Sequence, residues 1–208
     1  MRLKTADIKP YYRLDEWEII EDSFDPERSL HSNTIFSIGN GFIGMRGTFE
    51  EGLEYDSRLG AEGTFLNGVY EEGTIRYGEM AHGFPEKKQT MINVANGKKI
   101  ILKLDNEMFS MQAGNILDYK RSINMREGVL KRSLIWQSPM GKQIRLETER
   151  LVCFQRRNLA AVSYKVTPLN FDGTIIVLSE IDGDTKYALG EKDPRIGSGL
   201  EGGSFFTI

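Results

Sequence analysis

The sequence predicts an all-β chain whose strands pair antiparallel into a sandwich or barrel. Short β-rich runs recur at roughly 8–12-residue spacing, with turn residues between them. No window of about twelve residues or more carries the 3.6-residue apolar period of an amphipathic helix. Glycine supplies 22 of 208 residues, about 11% against a usual ~7%. Without low complexity, that excess points to many turns.

The elements are expected in the following order. Residues 17–21 read as a first strand, with Ile19 and Ile20 at its centre. Asp25-Pro26-Glu27-Arg28 has a capping aspartate with proline at the first helical position, so one short helical turn is expected there. Residues 34–38 and 42–48 then form strands joined through Asn40-Gly41, a pair that suits a type I′ hairpin with positive φ at both central positions. Asn96-Gly97 predicts a second hairpin of this kind between 91–95 and 98–104. Gly128 separates 123–125 from 129–137, where Leu130, Leu134 and Trp136 share a face that Arg132 interrupts. Pro139-Met140-Gly141 turns the chain into 143–154. There the apolar positions change parity between Ile144, Leu146 and Leu151, Cys153, which predicts a bulge near 148–150. Residues 160–167 and 174–181 are further strands, with a turn at Asp172-Gly173. From Asp182 to Gly203 six glycines mark a long loop, followed by the strand-like Ser204-Phe205-Phe206-Thr207-Ile208. A run that stops inside a β pattern is expected of a piece of a longer protein.

Composition excludes several classes. Hydrophobic residues make up 39% and charged residues 27%, which is ordinary for a globular chain. No stretch approaches the ~18–20 apolar residues of a spanning helix, so no membrane partner is expected. With 27 basic against 30 acidic residues the net charge is −3. Nucleic acid needs a positive field along its phosphates, and Arg156-Arg157 is too short to supply one. The lone Cys153 and the absence of an apolar segment after Arg2 and Lys4 predict a cytoplasmic chain.

Several residues invite a chemical reading, and each has a plainer one. Gly39-Asn40-Gly41-Phe42-Ile43-Gly44 matches the dinucleotide-binding G-x-G-x-x-G, but that chemistry needs a helix after the glycines. Met45-Arg46-Gly47-Thr48-Phe49 reads as extended. His82, near Glu79, could do acid–base work, yet its surroundings read as an exposed loop; His31 is the second histidine. Cys153 reads as an inert thiol within a strand. Glu50-Glu51 and Glu71-Glu72 read as solvated pairs, since adjacent strand residues point to opposite faces. Arg46 is expected to fix its glycine-rich turn by pairing with a carboxylate. No histidine, cysteine or carboxylate cluster has metal-ligand spacing. No catalytic, cofactor-binding or metal-binding residue is therefore assigned.

The run from Asn33 to Glu51, with Gly39-Asn40-Gly41-Phe42-Ile43-Gly44-Met45-Arg46-Gly47-Thr48-Phe49-Glu50-Glu51 at its heart, resembles the opening signature of glycoside hydrolase family 65. These enzymes are inverting phosphorylases of α-linked glucose disaccharides. Leu66-Asn67-Gly68-Val69-Tyr70, Met91-Ile92-Asn93-Val94, Leu134-Ile135-Trp136-Gln137-Ser138-Pro139 and Thr167-Pro168-Leu169-Asn170-Phe171 are similar to the family too. Phe42 stands where the family often has tyrosine, and Asn33 where several members have glutamate. The resemblance implies an N-terminal super-sandwich similar to the galactose mutarotase fold. Residues 1–208 would be an incomplete N-terminal domain, with the catalytic (α/α)₆ barrel and its residues outside this chain. It also implies inorganic phosphate as co-substrate and a homodimer for the full-length enzyme. Residues 192–199 look more like trehalose- or kojibiose-type members than maltose-type ones. Two other readings compete. A free carbohydrate-binding sandwich would need exposed aromatics, although Trp17 and Trp136 lie in strand patterns that suit a core or an interface. A mutarotase-type epimerase would need histidine and glutamate in one cleft, where two histidines are available.

Overall fold

The structure, a computed structural model, describes residues 10–52, 62–79 and 81–185. The expected tail loop and the 204–208 run lie outside these residues. Strands β1 (Arg13–Leu14) and β2 (Glu18–Glu21) come first, followed by a 3₁₀ turn, Pro26–Arg28, that runs into α1 (Ser29–Ile35). The Asp25 carboxylate accepts the Glu27 N–H at 3.0 Å, so the predicted cap is present. The helix runs further than the sequence suggests and takes up Thr34 and Ile35, leaving Ile38–Gly39 as the short strand β3. Its last turn seats Phe36, which is fully buried. Tertiary packing overrides the β-branched residues there.

Next come β4 (Ile43–Met45), β5 (Thr64–Thr74), β6 (Lys87–Asn93), β7 (Asn96–Leu104) and β8 (Glu107–Met108). The chain closes with β9 (Asn115–Asn124), β10 (Val129–Gln137), β11 (Gln143–Val152), β12 (Ala160–Pro168) and β13 (Ile175–Asp182). Strands β1-β2-β9-β10-β11-β12 form a six-stranded sheet, β3-β4-β5-β6 a four-stranded one and β13-β7-β8 a three-stranded one. Every strand pair is antiparallel.

Both smaller sheets cover the same face of the large one. Leu102 and Leu104 of β7 pack with Leu134, Trp136, Ile144 and Leu146 of β10 and β11. Ile38 and Ile43 pack with Leu130 and Val152 at the other end of the same strands. The outer face carries exposed charge pairs such as Lys165–Glu147 at 2.9 Å. The all-β antiparallel sandwich expected from the sequence is the fold observed.

Three local expectations are corrected. Gly41 alone has positive φ in the β3–β4 turn, +83°, so the turn is not type I′. Asn40 instead uses its side chain, accepting from the N–H groups of Phe42 and Ile43 at 2.9 and 2.8 Å. Asn96-Gly97 is no hairpin at all, because β6 and β7 lie in different sheets and the chain passes from one smaller sheet to the other at Val94-Ala95. Asn96 already belongs to β7 and pairs with Asp182. Finally, β11 keeps unbroken register with both neighbours from Ile144 to Leu151, so the bulge expected near 148–150 is absent. Thr148 and Arg150 are simply buried on the same face as Ile144 and Leu146. The irregularity lies on β9, opposite Ile135 and Trp136.

A Cβ at residue 41 would meet nothing within 4 Å, so a substitution there reports backbone strain alone. Gly41→Val is expected to cost about 1–2 kcal/mol and Gly41→Asn clearly less, read from urea unfolding midpoints. Strand β13 ends its sheet among the described residues, and Ile176, Val177, Leu178 and Ile181 are exposed along it. Long aliphatic edges pair with other chains. Light scattering is expected to show concentration-dependent association of the 208-residue chain that Leu178→Lys suppresses; a parent chain that stays monomeric would refute this.

Candidate functional site

The residues with the richest chemistry meet inside the sandwich, where the segment from Arg46 to Glu51 crosses between the two apolar clusters. Three arginines from adjacent strands of the large sheet reach this segment. On β9, Arg121 Nη2 lies 2.8 Å from Glu21 Oε2, and its Nη1 donates to the Gly47 carbonyl at 2.9 Å. Its guanidinium stacks 4.3 Å from the Phe36 ring centroid. On β10, Arg132 Nη2 contacts Glu50 Oε2 at 3.1 Å and both oxygens of Glu51 at 2.7 and 2.9 Å. Its Nε and Nη1 take no hydrogen bond. The group lies 4.5 Å over Phe49 instead, a cation–π contact. On β11, Arg150 Nε donates to Glu50 Oε1 at 3.0 Å, and its Nη2 pairs with the same oxygen. Its remaining donors reach the carbonyls of Arg46 and Thr48 at 3.1 and 2.7 Å.

Hydroxyls complete the network. Tyr119 donates to Glu21 Oε2 at 2.8 Å, Ser32 to Glu21 Oε1 at 2.5 Å and Tyr164 of β12 to Glu51 Oε1 at 2.6 Å. The three arginines and three glutamates are each only 2–3% exposed at the side chain and cancel in formal charge. The third sheet joins through the backbone, where Ile100 N–H of β7 donates to the Glu50 carbonyl at 2.9 Å. Nearby, buried Lys98 pairs with Glu62 and donates to Asn96 Oδ1 at 3.1 Å.

Local sequence accounts for the close packing of the segment. A Cβ on Gly47 would sit 2.7 Å from Phe36 Cβ and from the Phe36 carbonyl oxygen, so only glycine lets the strand pass the helix end. Gly47 N–H then donates to the Asn33 carbonyl at 2.8 Å. The Arg46 side chain fastens the segment to α1 through the Leu30 carbonyl and the Thr34 hydroxyl, at 3.2 and 3.0 Å.

The electrostatics are those of a lock. Burial pushes the Glu50 carboxyl up, but the charges of Arg150 and Arg132 outweigh it and hold the group below its ordinary value. Burial acts against the charge on Arg132, yet Glu51 and Glu50 raise its pKa further. Burial, then Glu51, raises the Tyr164 phenol. Burial likewise lowers Lys98 despite the opposing pull of Glu62. The Glu50 carboxylate is thus kept ionised at neutral pH, and Arg132 and the Tyr119 and Tyr164 phenols stay protonated. The hydrogen bonds of the three arginines hold chain segments together.

The remaining sequence candidates are scattered. Glu50-Glu51, expected as a solvated pair, is instead buried, because the two residues lie in a turn where both carboxylates reach Arg132. Glu71 and Glu72 sit on β5, where Glu72 accepts from Gln89 at 2.9 Å. Gly39–Gly44 forms the β3–β4 hairpin with no helix after it, and the N–H groups of Phe42 and Ile43 are taken by Asn40. His31 Nδ1 is 2.8 Å from the Tyr12 hydroxyl, whereas His82 is exposed in the loop between β5 and β6. Cys153, expected within a strand, follows the end of β11 and is half-buried. Trp136 is fully buried and donates to the Ala113 carbonyl at 2.7 Å, so only Trp17 is displayed. The two tryptophans therefore do not form a displayed pair. Among the described residues no group of three or more histidines, cysteines or carboxylates could hold a metal, and no helix is long and apolar enough to cross a membrane.

Sequence reasoning found Arg132 and missed Arg121, Arg150 and Glu21. The signal for Arg150 was its even spacing from Ile144 and Leu146 along an uninterrupted strand.

Comparison with known proteins follows the same outline. Residues 19–205 match the family model described as glycosyl hydrolase family 65, N-terminal domain. The α,α-trehalose phosphorylase of Thermoanaerobacter brockii is 40% identical over 200 residues, covering 96% of this chain and 26% of that protein. The maltose phosphorylase of Bacillus subtilis (strain 168) is 31% identical over 173 residues, 83% of this chain and 22% of that one. A solved structure, a putative kojibiose phosphorylase from the human microbiome, superposes with a TM-score of 0.71 at 26% identity, over 84% of this chain and 22% of its own. The chain spans about a quarter of the length of these relatives.

Glu50→Ala would leave Arg132 and Arg150 short of a counter-charge, with an expected cost of about 3–5 kcal/mol in urea unfolding. Arg150→Met on that background is expected to recover part of the loss, so the two effects are not additive. The pH dependence follows from the lowered Glu50 pKa. Its stabilisation is complete above the unfolded value of about 4.3 and lost as pH falls through the folded one. Glu50→Gln should therefore flatten the fall in stability below about pH 4.3; an unchanged profile would place Glu50 outside the acid response.

Proposed function

The chain belongs to glycosyl hydrolase family 65, and from that premise we propose that it is the non-catalytic N-terminal domain of an inverting disaccharide phosphorylase. Its role is to carry and orient a separate catalytic barrel and to contribute to a homodimer of the full-length enzyme. The observation that carries this reading is the use of its interior. The buried carboxylates Glu21, Glu50 and Glu51 are taken up by the arginines of the large sheet, and the family match is to the N-terminal domain.

In the parent enzyme phosphate attacks the anomeric carbon of a glucose disaccharide while a carboxylic acid protonates the departing sugar oxygen. The products are β-glucose 1-phosphate and glucose. Phosphate arrives as an anion, so it needs no general base, unlike the water of an inverting hydrolase. Those reacting groups belong to the barrel. Trehalose is the favoured disaccharide, since the trehalose phosphorylase compared is 40% identical and the maltose phosphorylase 31%. The 192–199 segment, which looks like trehalose- or kojibiose-type members, lies outside the described residues. A reducing cytoplasm is the compartment that best suits a single cysteine.

The purified 208-residue chain is expected to release no glucose 1-phosphate from trehalose, kojibiose or maltose with phosphate. Phosphate-dependent turnover by this chain alone would overturn the proposal. A chimera with this chain in place of the matching quarter of the Thermoanaerobacter brockii trehalose phosphorylase is expected to retain phosphorolysis.

A further inference from the structure

The sequence holds three Asn-Gly pairs, Asn40-Gly41, Asn67-Gly68 and Asn96-Gly97. The dipeptide is chemically labile as well as turn-forming. The glycine amide nitrogen can attack the asparagine side-chain carbonyl carbon, and no Cβ on the second residue obstructs the ring that closes. The fold treats the three pairs differently.

Two of them are held. Asn40 uses both atoms of its amide. Its Nδ2 donates to the carbonyls of Cys153 and Arg157 at 2.7 and 3.0 Å, and its Oδ1 accepts from the N–H groups of Phe42 and Ile43 at 2.9 and 2.8 Å. Asn96 is 8% exposed, and its Oδ1 accepts from the backbone N–H and the Nζ of Lys98, both at 3.1 Å. Turning either side-chain carbon onto the next nitrogen would strip several polar groups of their partners.

Asn67 lies in open chain. It is exposed, as are Gly68 and Val69. Its N–H donates to the Phe42 carbonyl at 2.8 Å, but residues 67–69 fall between the last β4 pair, Ile43↔Leu66, and the resumption of the β6 ladder at Tyr70↔Met91. Gly68 sits there at φ +89°. The Asn67 Nδ2 donates to the Gly41 carbonyl at 3.2 Å, and its Oδ1 accepts from the Tyr70 hydroxyl at 2.9 Å. The second of these bonds is activating. Negative charge builds on Oδ1 as the nitrogen adds to the carbon, and a hydroxyl already aimed at that oxygen stabilises it.

We propose that Asn67-Gly68 is a site of spontaneous deamidation in the folded domain, assisted by the Tyr70 hydroxyl. The Gly68 nitrogen gives its proton to solvent and bonds to Asn67 Cγ. The Cγ–Nδ2 bond then breaks, and ammonia leaves with a proton taken from solvent. Water opens the resulting succinimide at either carbonyl, giving aspartate or isoaspartate. Both products put a carboxylate at the corner that Asn67 had pinned to the Gly41 carbonyl. Isoaspartate also lengthens the backbone by one carbon where β5 parts from β4.

The test is to age the 208-residue chain in warm, mildly alkaline buffer, folded and in urea, and to map its peptides by mass spectrometry. In the folded chain the mass gain of deamidation is expected at Asn67, with Asn40 and Asn96 keeping their amides; in urea all three convert. Tyr70→Phe should slow conversion of Asn67 severalfold in the folded chain and leave its rate in urea unchanged. Continued protection of Asn40 and Asn96 reports that this variant is folded. A folded chain that converts Asn40 or Asn96 as fast as Asn67, or that keeps the Asn67 amide throughout, would overturn the site. An Asn67 rate unaltered by Tyr70→Phe in the folded chain would overturn the assistance.

Discussion

Everything in this sandwich is arranged around three arginines buried against three glutamates. Taking such charges out of water costs several kcal/mol per ion, and the pairing repays it only when geometry is good and the remaining donors are used. Here Arg121 and Arg150 divide their donors between carboxylates and the carbonyls of residues 46–48. The return for that cost is specificity of placement. An apolar segment could slide between the two hydrophobic clusters, whereas one held by successive carbonyls and by Glu50 and Glu51 has a single register.

That constraint couples three sheets that are otherwise joined by the apolar clusters and by polar contacts at their ends, such as Lys142 with Asp105 and Asn40 with the Cys153 carbonyl. Segment 46–51 leaves the four-stranded sheet after β4, is gripped by four successive strands of the large sheet, and accepts a hydrogen bond from β7 of the third. The apolar clusters lie on either side of this polar seam. Leu134, Trp136, Ile144 and Leu146 supply burial energy on one side and Phe36, Ile38 and Ile43 on the other. Neither cluster alone determines how the two smaller sheets sit relative to each other; the arginines do.

The strands, their antiparallel order and most turns were legible because they rest on period-two patterning and local turn chemistry. The β9–β10 and β10–β11 turns carry Gly128 and Gly141 at positive φ, where the sequence places its turn signals. Asn96-Gly97 misled because the same dipeptide can start a strand, and only the sheet crossing at Val94-Ala95 decides between the two. The seam was nearly invisible for a related reason. A buried arginine looks like a break in an apolar pattern, so Arg132 stood out as an interruption and Thr148 and Arg150 were read as a change of parity. Their partners lie about 80 to 100 residues away, beyond the reach of any local pattern.

The seam also changes what the most conspicuous motif means. Gly39–Gly44 followed by Met45–Glu51 has the look of a phosphate-binding loop and carries the strongest resemblance to the family. In the fold its parts have structural duties: Asn40 ties the hairpin to the carbonyls of Cys153 and Arg157, and Gly41 supplies the left-handed turn position. Gly47 allows the chain past Phe36, and Glu50 and Glu51 complete the charge balance. A signature made of such residues identifies a way of closing a sandwich. It marks family membership through residues whose contacts here are those of packing, with Glu50 and Glu51 held by buried arginines.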